Sequence, residues 1–271
     1  MRNLTTTICL TIALLLGSVG VSWSQDFQKG YAAAQSGDFA TALREWTPLA
    51  KQGNADAQYN LGVMYENGQG IPKNYKTAVK WYRLAAEQGD AGAQFNLGNA
   101  YRHGLGVPQN DKTAVKWYRL AAEQGNATVQ YILGQMYRQG KGVPQDYKTA
   151  VKWYKLAAEQ GSAFAQYNLG MMYSKGRGVS QGYKTAVKWY TLAAEQGDAD
   201  AQGNLGVVYA TGQGVIQDRV YAHMWGIIAA SSGNENGAKL RDIAAKKMTP
   251  ADLSTAQNLA RECVRKEYKG C

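Results

Sequence analysis

The chain is poor in the residues that most often do chemistry. It has 2 histidines and 3 cysteines among 271 residues. No Cys/His spacing suits zinc. No serine is followed three residues later by lysine, so the S-x-x-K arrangement of serine β-lactamases is absent. Neither His103 nor His223 has a partner in the sequence that would prepare it for proton transfer. These shortages predict a protein that is not an enzyme and holds no metal and no cofactor. Long apolar runs are also lacking beyond the first two dozen residues, so no later segment is expected to cross a bilayer.

The one apolar run, ICLTIALLLGSVGV at 8–21, follows Arg2 and precedes the small residues Ser22 and Ser24. A positive start, a short apolar core and small residues together read as a secretory signal peptide, cleaved before Gln25. The run is shorter than the roughly 20 residues of a membrane span. Cys9 lies inside it, the wrong place for a lipidated cysteine. Removing 24 of 271 residues leaves a mature chain of 247, expected to be periplasmic or secreted. Its formal charge is +10 less Arg2, or +9. An exported protein does not normally meet the genome, so no nucleic-acid partner is expected. The charge points instead to acidic protein surfaces or anionic glycans.

What the chain has in abundance is repetition. YKTAVKWY occurs at 75–82, 147–154 and 183–190, and DKTAVKWY at 111–118. Gly53, Gly89, Gly125, Gly161, Gly197 and Gly233 recur every 36 residues. Trp81, Trp117, Trp153, Trp189 and Trp225 keep that period, as do five Leu-Gly pairs, each followed three residues later by tyrosine. Such a period means a solenoid or an array of small units.

Each unit reads as two helices. In ADAQYNLGVMYENG, residues 55–68, Ala57, Leu61, Met64 and Tyr65 share one helical face. Asn54, Asp90, Asn126, Ser162 and Asp198 are predicted N-caps of these first helices. Asn74, Asn110, Asp146 and Asp218 should cap the second helices, while Gly182 breaks the rule. On the second helix Ala78, Trp81, Tyr82 and Ala85 are expected inside, with Lys76, Lys80, Arg83 and Glu87 in water. The intervening GQGIP, GLGVP and GKGVP loops read as left-handed turns, since no strand precedes them and none continues as a phosphate loop. Gly62 and its equivalents sit mid-helix, where glycine costs about 1 kcal/mol relative to alanine. Close approach by Trp and Tyr of a neighbouring helix would account for them.

The pattern A-x-A-Q-x-x-L-G-x-x-Y, G-x-G-V-P-x-D-Y, A-x-x-W-Y-x-x-A-A-E-Q-G resembles the Sel-one-like repeat, a tetratricopeptide-type hairpin, over about residues 39–232. The resemblance implies an all-α, right-handed α-solenoid of helix-turn-helix repeats that serves as an adaptor for a protein or peptide partner. In the bacterial envelope such a partner would include a sensor kinase or an assembly factor. The lysine ladder leaves a second reading, a module for anionic envelope glycans. A third is the β-lactam or cell-wall hydrolase of the family's cysteine-rich branch, but this chain lacks the cysteine pair in every repeat. The expected organisation is a signal peptide (1–24), N-terminal capping helices (25–52), repeats at 53–88, 89–124, 125–160, 161–196 and 197–232, and C-terminal capping helices (233–271).

In tetratricopeptide-type solenoids the first helices line the concave side. The resemblance therefore implies a binding surface of Tyr59, Asn60, Phe95, Asn96, Asn99, Tyr131, Gln135, Tyr167, Asn168 and Asn204. Aromatics would pack a peptide's side chains and amides its backbone. The ends read as caps. Residues 26–53 supply an N-terminal helix and a shortened second one behind Asp38. Thr249, Pro250 and Asp252 open the last helix with a capping-box signal. In an oxidising compartment Cys263 and Cys271 are expected to pair, the alternatives being free thiols or an intermolecular bridge. Pairing requires the helix to end near Lys266–Tyr268 and Gly270 to let the chain turn back.

Overall fold

The computed structural model describes residues 25–271; the expected signal peptide and Cys9 lie outside them. Every regular element among the described residues is a helix, the all-α class, and the helices follow one another as α-solenoid hairpins. The chain forms two compact units that divide after Gln124. The first contains α1 (25–35), α2 (Phe39–Lys51), α3 (Ala55–Asn67), α4 (Tyr75–Glu87), α5 (Ala91–His103) and α6 (Asp111–Glu123). The second contains α7 (Ala127–Gln139), α8 (Tyr147–Glu159), α9 (Ala163–Lys175), α10 (Tyr183–Ala194), α11 (Ala199–Thr211), α12 (Arg219–Ser231), α13 (Glu235–Ala245) and α14 (Pro250–Arg265).

Local chemistry sets the ends of these helices. Asn54 Oδ1 accepts from the Ala57 amide at 2.8 Å and Asn74 Oδ1 from Thr77 at 3.0 Å. The same bond recurs at every predicted cap, and α10, which starts after Gly182, has none. Each such cap satisfies an amide that the helix leaves unpaired. First helices end at a left-handed glycine, as Gly68 (φ 74°) ends α3. Gly106 (φ 72°) has a second reason to be glycine: a Cβ there would lie 2.4 Å from the Tyr75 carbonyl carbon.

Within each unit, neighbouring helices pack in sequence, as α2 on α3 and α3 on α4. The second helices α4, α6 and α8 bury Ala78, Val79, Tyr82, Ala85 and Ala86 and their equivalents; α10 does the same except for the half-buried Val187. This corrects the expected inward face. Trp153 and Trp225 are buried as expected, whereas Trp81, Trp117 and Trp189 are only half-buried. They sit beside the stripe, where Trp81 covers the α2–α3 core, Trp117 the α4–α5 core and Trp189 the α8–α9 core. These three tryptophans thus seal the joint between hairpins instead of filling a hairpin's centre.

Tyrosine fills the centre. A Cβ on Gly62 would stand 2.5 Å from the Tyr82 ring. Gly98 faces Tyr118, Gly134 faces Tyr154 and Gly170 faces Tyr190 in the same way. The expected close approach is therefore made by tyrosine alone in these four hairpins. A second interior device is the glutamine of A-x-A-Q. Gln58 is buried and donates to the Ala50 carbonyl at 2.9 Å, while its Oε1 accepts from Gln88 at 2.7 Å. Gln94–Gln124, Gln130–Gln160 and Gln166–Gln196 repeat the pair. Gln58, Gln94 and Gln166 each tie a first helix to the second helices on either side of it within their unit, and no amide oxygen of these pairs is left buried and unpaired.

The ends depart from the repeat. Trp46 of α2 donates to the Phe27 carbonyl of α1 at 3.2 Å, and Lys29 pairs with Glu45 at 2.9 Å. The helix α2 is not shortened: it has 13 residues, like α3 and α4. At the other end Thr249 and Asp252 close the capping box of α14, and Ala256, Ala260 and Cys263 are buried. The helix stops at Arg265. Glu267 and Tyr268 take positive φ, as does Gly270, and the chain turns back. This places the Cys263 and Cys271 sulphurs 2.08 Å apart with Cα atoms at 5.5 Å, the geometry of a disulfide.

Candidate functional site

In each unit the first helices carry aromatic rings that the hairpin core leaves half-buried. In the first unit, Tyr59 lies against Tyr82 with ring centroids 6.1 Å apart, and Phe95 against Tyr118 at 6.2 Å. In the second, Tyr131 meets Tyr154 and Tyr167 meets Tyr190, both at 6.1 Å. Tyr131 also stacks on Phe164, which is 64% exposed. Gly203 takes the aromatic position in α11 and ends the row.

Behind each ring a buried tyrosine presents its hydroxyl to a polar residue that differs from repeat to repeat. Tyr82 donates to Glu66. Tyr118 donates to Asn99 Oδ1 at 2.7 Å, with Arg102 close by. Arg138 Nε donates to the Tyr154 hydroxyl at 3.2 Å, and Ser174 reaches that of Tyr190. Burial is the main reason these phenols resist ionisation. It pushes Tyr154 and Tyr190 up to about 12, and it raises Tyr118 despite the opposing pull of Arg102. Tyr82 is raised first by burial and then by the Glu66 carboxylate.

The expected amide ladder is placed unevenly. Asn96 lies within hydrogen-bonding reach of both Tyr59 and Tyr82. Asn204 reaches Tyr167 and also donates to the Asp200 carbonyl at 2.8 Å. Asn168 is buried, and its amide donates to the Phe164 carbonyl at 2.8 Å. Asn60 is half-buried. Gln135 donates to the Tyr131 hydroxyl. The amides therefore largely orient the aromatic rings. The hydroxyl partners that change from one repeat to the next are Glu66, Asn99, Arg138 and Ser174. Sequence reasoning named Asn99 but missed Glu66, Arg138 and Ser174, although the signal was present: these three follow directly after repeat tyrosines.

His103 is exposed at the end of α5. His223 is buried, with Nδ1 2.9 Å from the Arg241 carbonyl oxygen. Among the described residues no three histidine, cysteine or acidic side chains gather as metal ligands, and no helix is long and apolar enough to cross a membrane.

The Sel1 repeat model matches five consecutive stretches, 55–90, 91–126, 127–162, 163–198 and 199–234. The chain belongs to the Sel1 repeat family. Among solved structures it is similar to a Sel1 repeat protein from Oxalobacter formigenes, at 34% identity and a TM-score of 0.76 over 87% of this chain and 99% of that one. A protective antigen of uropathogenic Escherichia coli strains, displaying an SLR fold, matches at 28% identity, 91% and 69% coverage and a TM-score of 0.45. Helicobacter pylori cysteine-rich protein B matches at 26% identity, 49% and 96% coverage and a TM-score of 0.40. No curated protein matches the chain. Sel1 repeats are protein-interaction modules, generally without enzymatic activity. The first helices of each unit thus carry an aromatic surface on an interaction scaffold, edged by polar groups that vary among the Sel1 repeats.

Proposed function

We propose that this Sel1 repeat chain is an exported adaptor that holds a protein or peptide partner of the bacterial envelope on its first-helix face. A sensor kinase or an envelope assembly factor is the class of partner. The observation that carries this reading is the half-buried aromatic pair on the first helices of each unit, Tyr59 and Phe95 in the first and Tyr131 and Tyr167 in the second, beside Glu66 and Asn99 and beside Arg138 and Ser174. Rigid aromatics supply contact area at small entropic cost, and varied polar neighbours supply selectivity.

The test has two arms. The mature chain is used to capture partners from envelope extracts. A Phe95→Ala, Asn99→Ala variant that melts like wild type should lose the captured partner, while Lys116→Ala, Lys152→Ala should keep it. The reverse pattern would move the binding surface to the second helices. Export is checked separately. The periplasmic fraction should contain a chain beginning at Gln25, and recovery of only the full-length chain from the cytoplasm would overturn export.

A further inference from the structure

We infer a second docking site in the first unit, on the outward face of α4 and α6, for an acidic polypeptide segment with apolar anchors. Two adjoining grooves mark it. One, of about 480 Å³, has Val79, Leu84 and Val107 as floor and Lys76, Lys80 and Arg83 as rim. The other, of about 460 Å³, has Trp117 and Leu120 as floor, with Arg83 and Lys116 above it. Leu84 is 44% and Leu120 43% exposed, large apolar side chains standing among cations. Lys76, Lys80 and Lys116 make no ion pair among the described residues, and Glu87 is the one acid that lines either groove.

The chemistry selects the occupant. Cationic rims attract a negative partner. An anionic glycan or a phosphate would satisfy the lysines but has nothing to bury against Val79, Leu84 and Leu120. The leucines line concave grooves and do not form a projecting wedge, which fits inserted side chains better than a lipid surface. The molecule also shows what this face accepts. The residues of α12 at the positions of Lys80, Arg83 and Leu84 are Met224, Ile227 and Ile228. There α14 lies across the helix, and Ile228 is fully buried. The outward face of a second helix can thus seat another helix. On α4 and α6 its rim is basic, so the segment that seats there must be acidic. This site is distinct from the first-helix surface, and its test does not depend on that reading.

The probe is a displayed library of random 16-residue peptides, selected on the mature chain and counter-selected on a Leu84→Ser, Leu120→Ser variant. Enriched peptides should be net negative with spaced Leu, Ile or Phe. A labelled synthetic representative should bind at least 10-fold more weakly to the serine variant and to Lys80→Glu, Lys116→Glu. Binding to Ile216→Ser, another exposed apolar change, should equal wild type. Hydrogen exchange of the wild-type chain gives a readout free of folding effects in the variants: added peptide should protect 75–87 and 111–123. Several results would overturn the inference. They are enrichment without negative charge, protection confined to other helices, polyglutamate binding as tightly as the peptide, and phosphatidylglycerol vesicles binding while the peptide does not.

Discussion

In the second unit, α8 and α12 are both second helices of a hairpin, 72 residues apart, yet they present opposite surfaces. α8 exposes Lys152, Lys155, Leu156 and Glu159; α12 carries Met224, Ile227, Ile228 and Ser231 at the same positions. Their inward alanines agree, Ala150 with Ala222 and Ala157 with Ala229, all fully buried. The difference is α14, which packs on α12 and turns its outward face into core. The hairpin interior changes as well. Tyr154 fills the space beside Gly134, but α12 has Gly226 where that tyrosine would stand. The space beside Gly206 is taken by Leu240 of α13. The glutamine rung stops too: Ser232 replaces the donor, and Gln202 Oε1 is left without a partner among the described residues. A repeat keeps its sequence where its neighbour is another repeat, and changes it where its neighbour is a cap.

The comparison can be broken most forcefully at Ile228. Ile228→Lys buries an uncompensated charge under α14 and should cost about 3–5 kcal/mol. Leu156→Lys, at the matching exposed position, should stay within about 0.5 kcal/mol. Chemical denaturation of both variants checks the pair, and equal losses would mean that α14 does not cover α12.

The bond between Cys263 and Cys271 comes next, because it anchors the end of that cap. Closing a loop of this length contributes about 2–3 kcal/mol in the chain-entropy model. Cys271→Ser should lower the stability of the second unit by that order and leave the first unit unchanged. Mass spectrometry of the non-reduced mature chain, which lacks Cys9, should find no alkylatable thiol, and two would show that the bridge does not form.

A comparable loss is expected at the mid-helix glycines, and it sharpens the contrast. Gly98→Ala drives a methyl into the Tyr118 ring, 2.6 Å from a Cβ, and should cost about 1–3 kcal/mol. Gly206→Ala meets the flexible tip of Leu240 at 2.4 Å. There the helix-propensity gain of about 1 kcal/mol should cancel most of the cost. Gly98→Ala, Tyr118→Leu should recover part of what Gly98→Ala loses. Failure to recover would remove the ring as the cause.

The smallest effect is a gain. Ser232→Gln restores the donor opposite Gln202 and should raise stability by about 0.5–1.5 kcal/mol, the net value of one hydrogen bond. A melting temperature no higher than wild type would show that Gln202 Oε1 is satisfied in another way.

Much of this was legible in advance. A 36-residue period, a capping side chain before each helix and a glycine after it are local signals, and local backbone chemistry acts on them without regard to what packs nearby. They placed α3 to α12 and the odd start of α10 at Gly182. The error over tryptophan was a matter of angle. Trp81 and Tyr82 are adjacent on a helix, so periodicity alone does not say which one faces the hairpin's own glycine. Of the residues at the tyrosine hydroxyls, Glu66, Arg138 and Ser174 were missed because a repeat pattern carries no signal in the columns that vary.

The sequence by itself determined the helices, their caps and turns, and the family, because each depends on contacts within a few residues and is written out five times. Only the tertiary structure decided which aromatic lies inside and that the glutamines join successive hairpins. It alone shows that four repeats each leave a leucine in water while the fifth buries its counterpart under α14. Those outcomes depend on partners 8 to 30 residues away in another helix or on a terminal helix without a repeat signature, and no local pattern encodes which surface meets which.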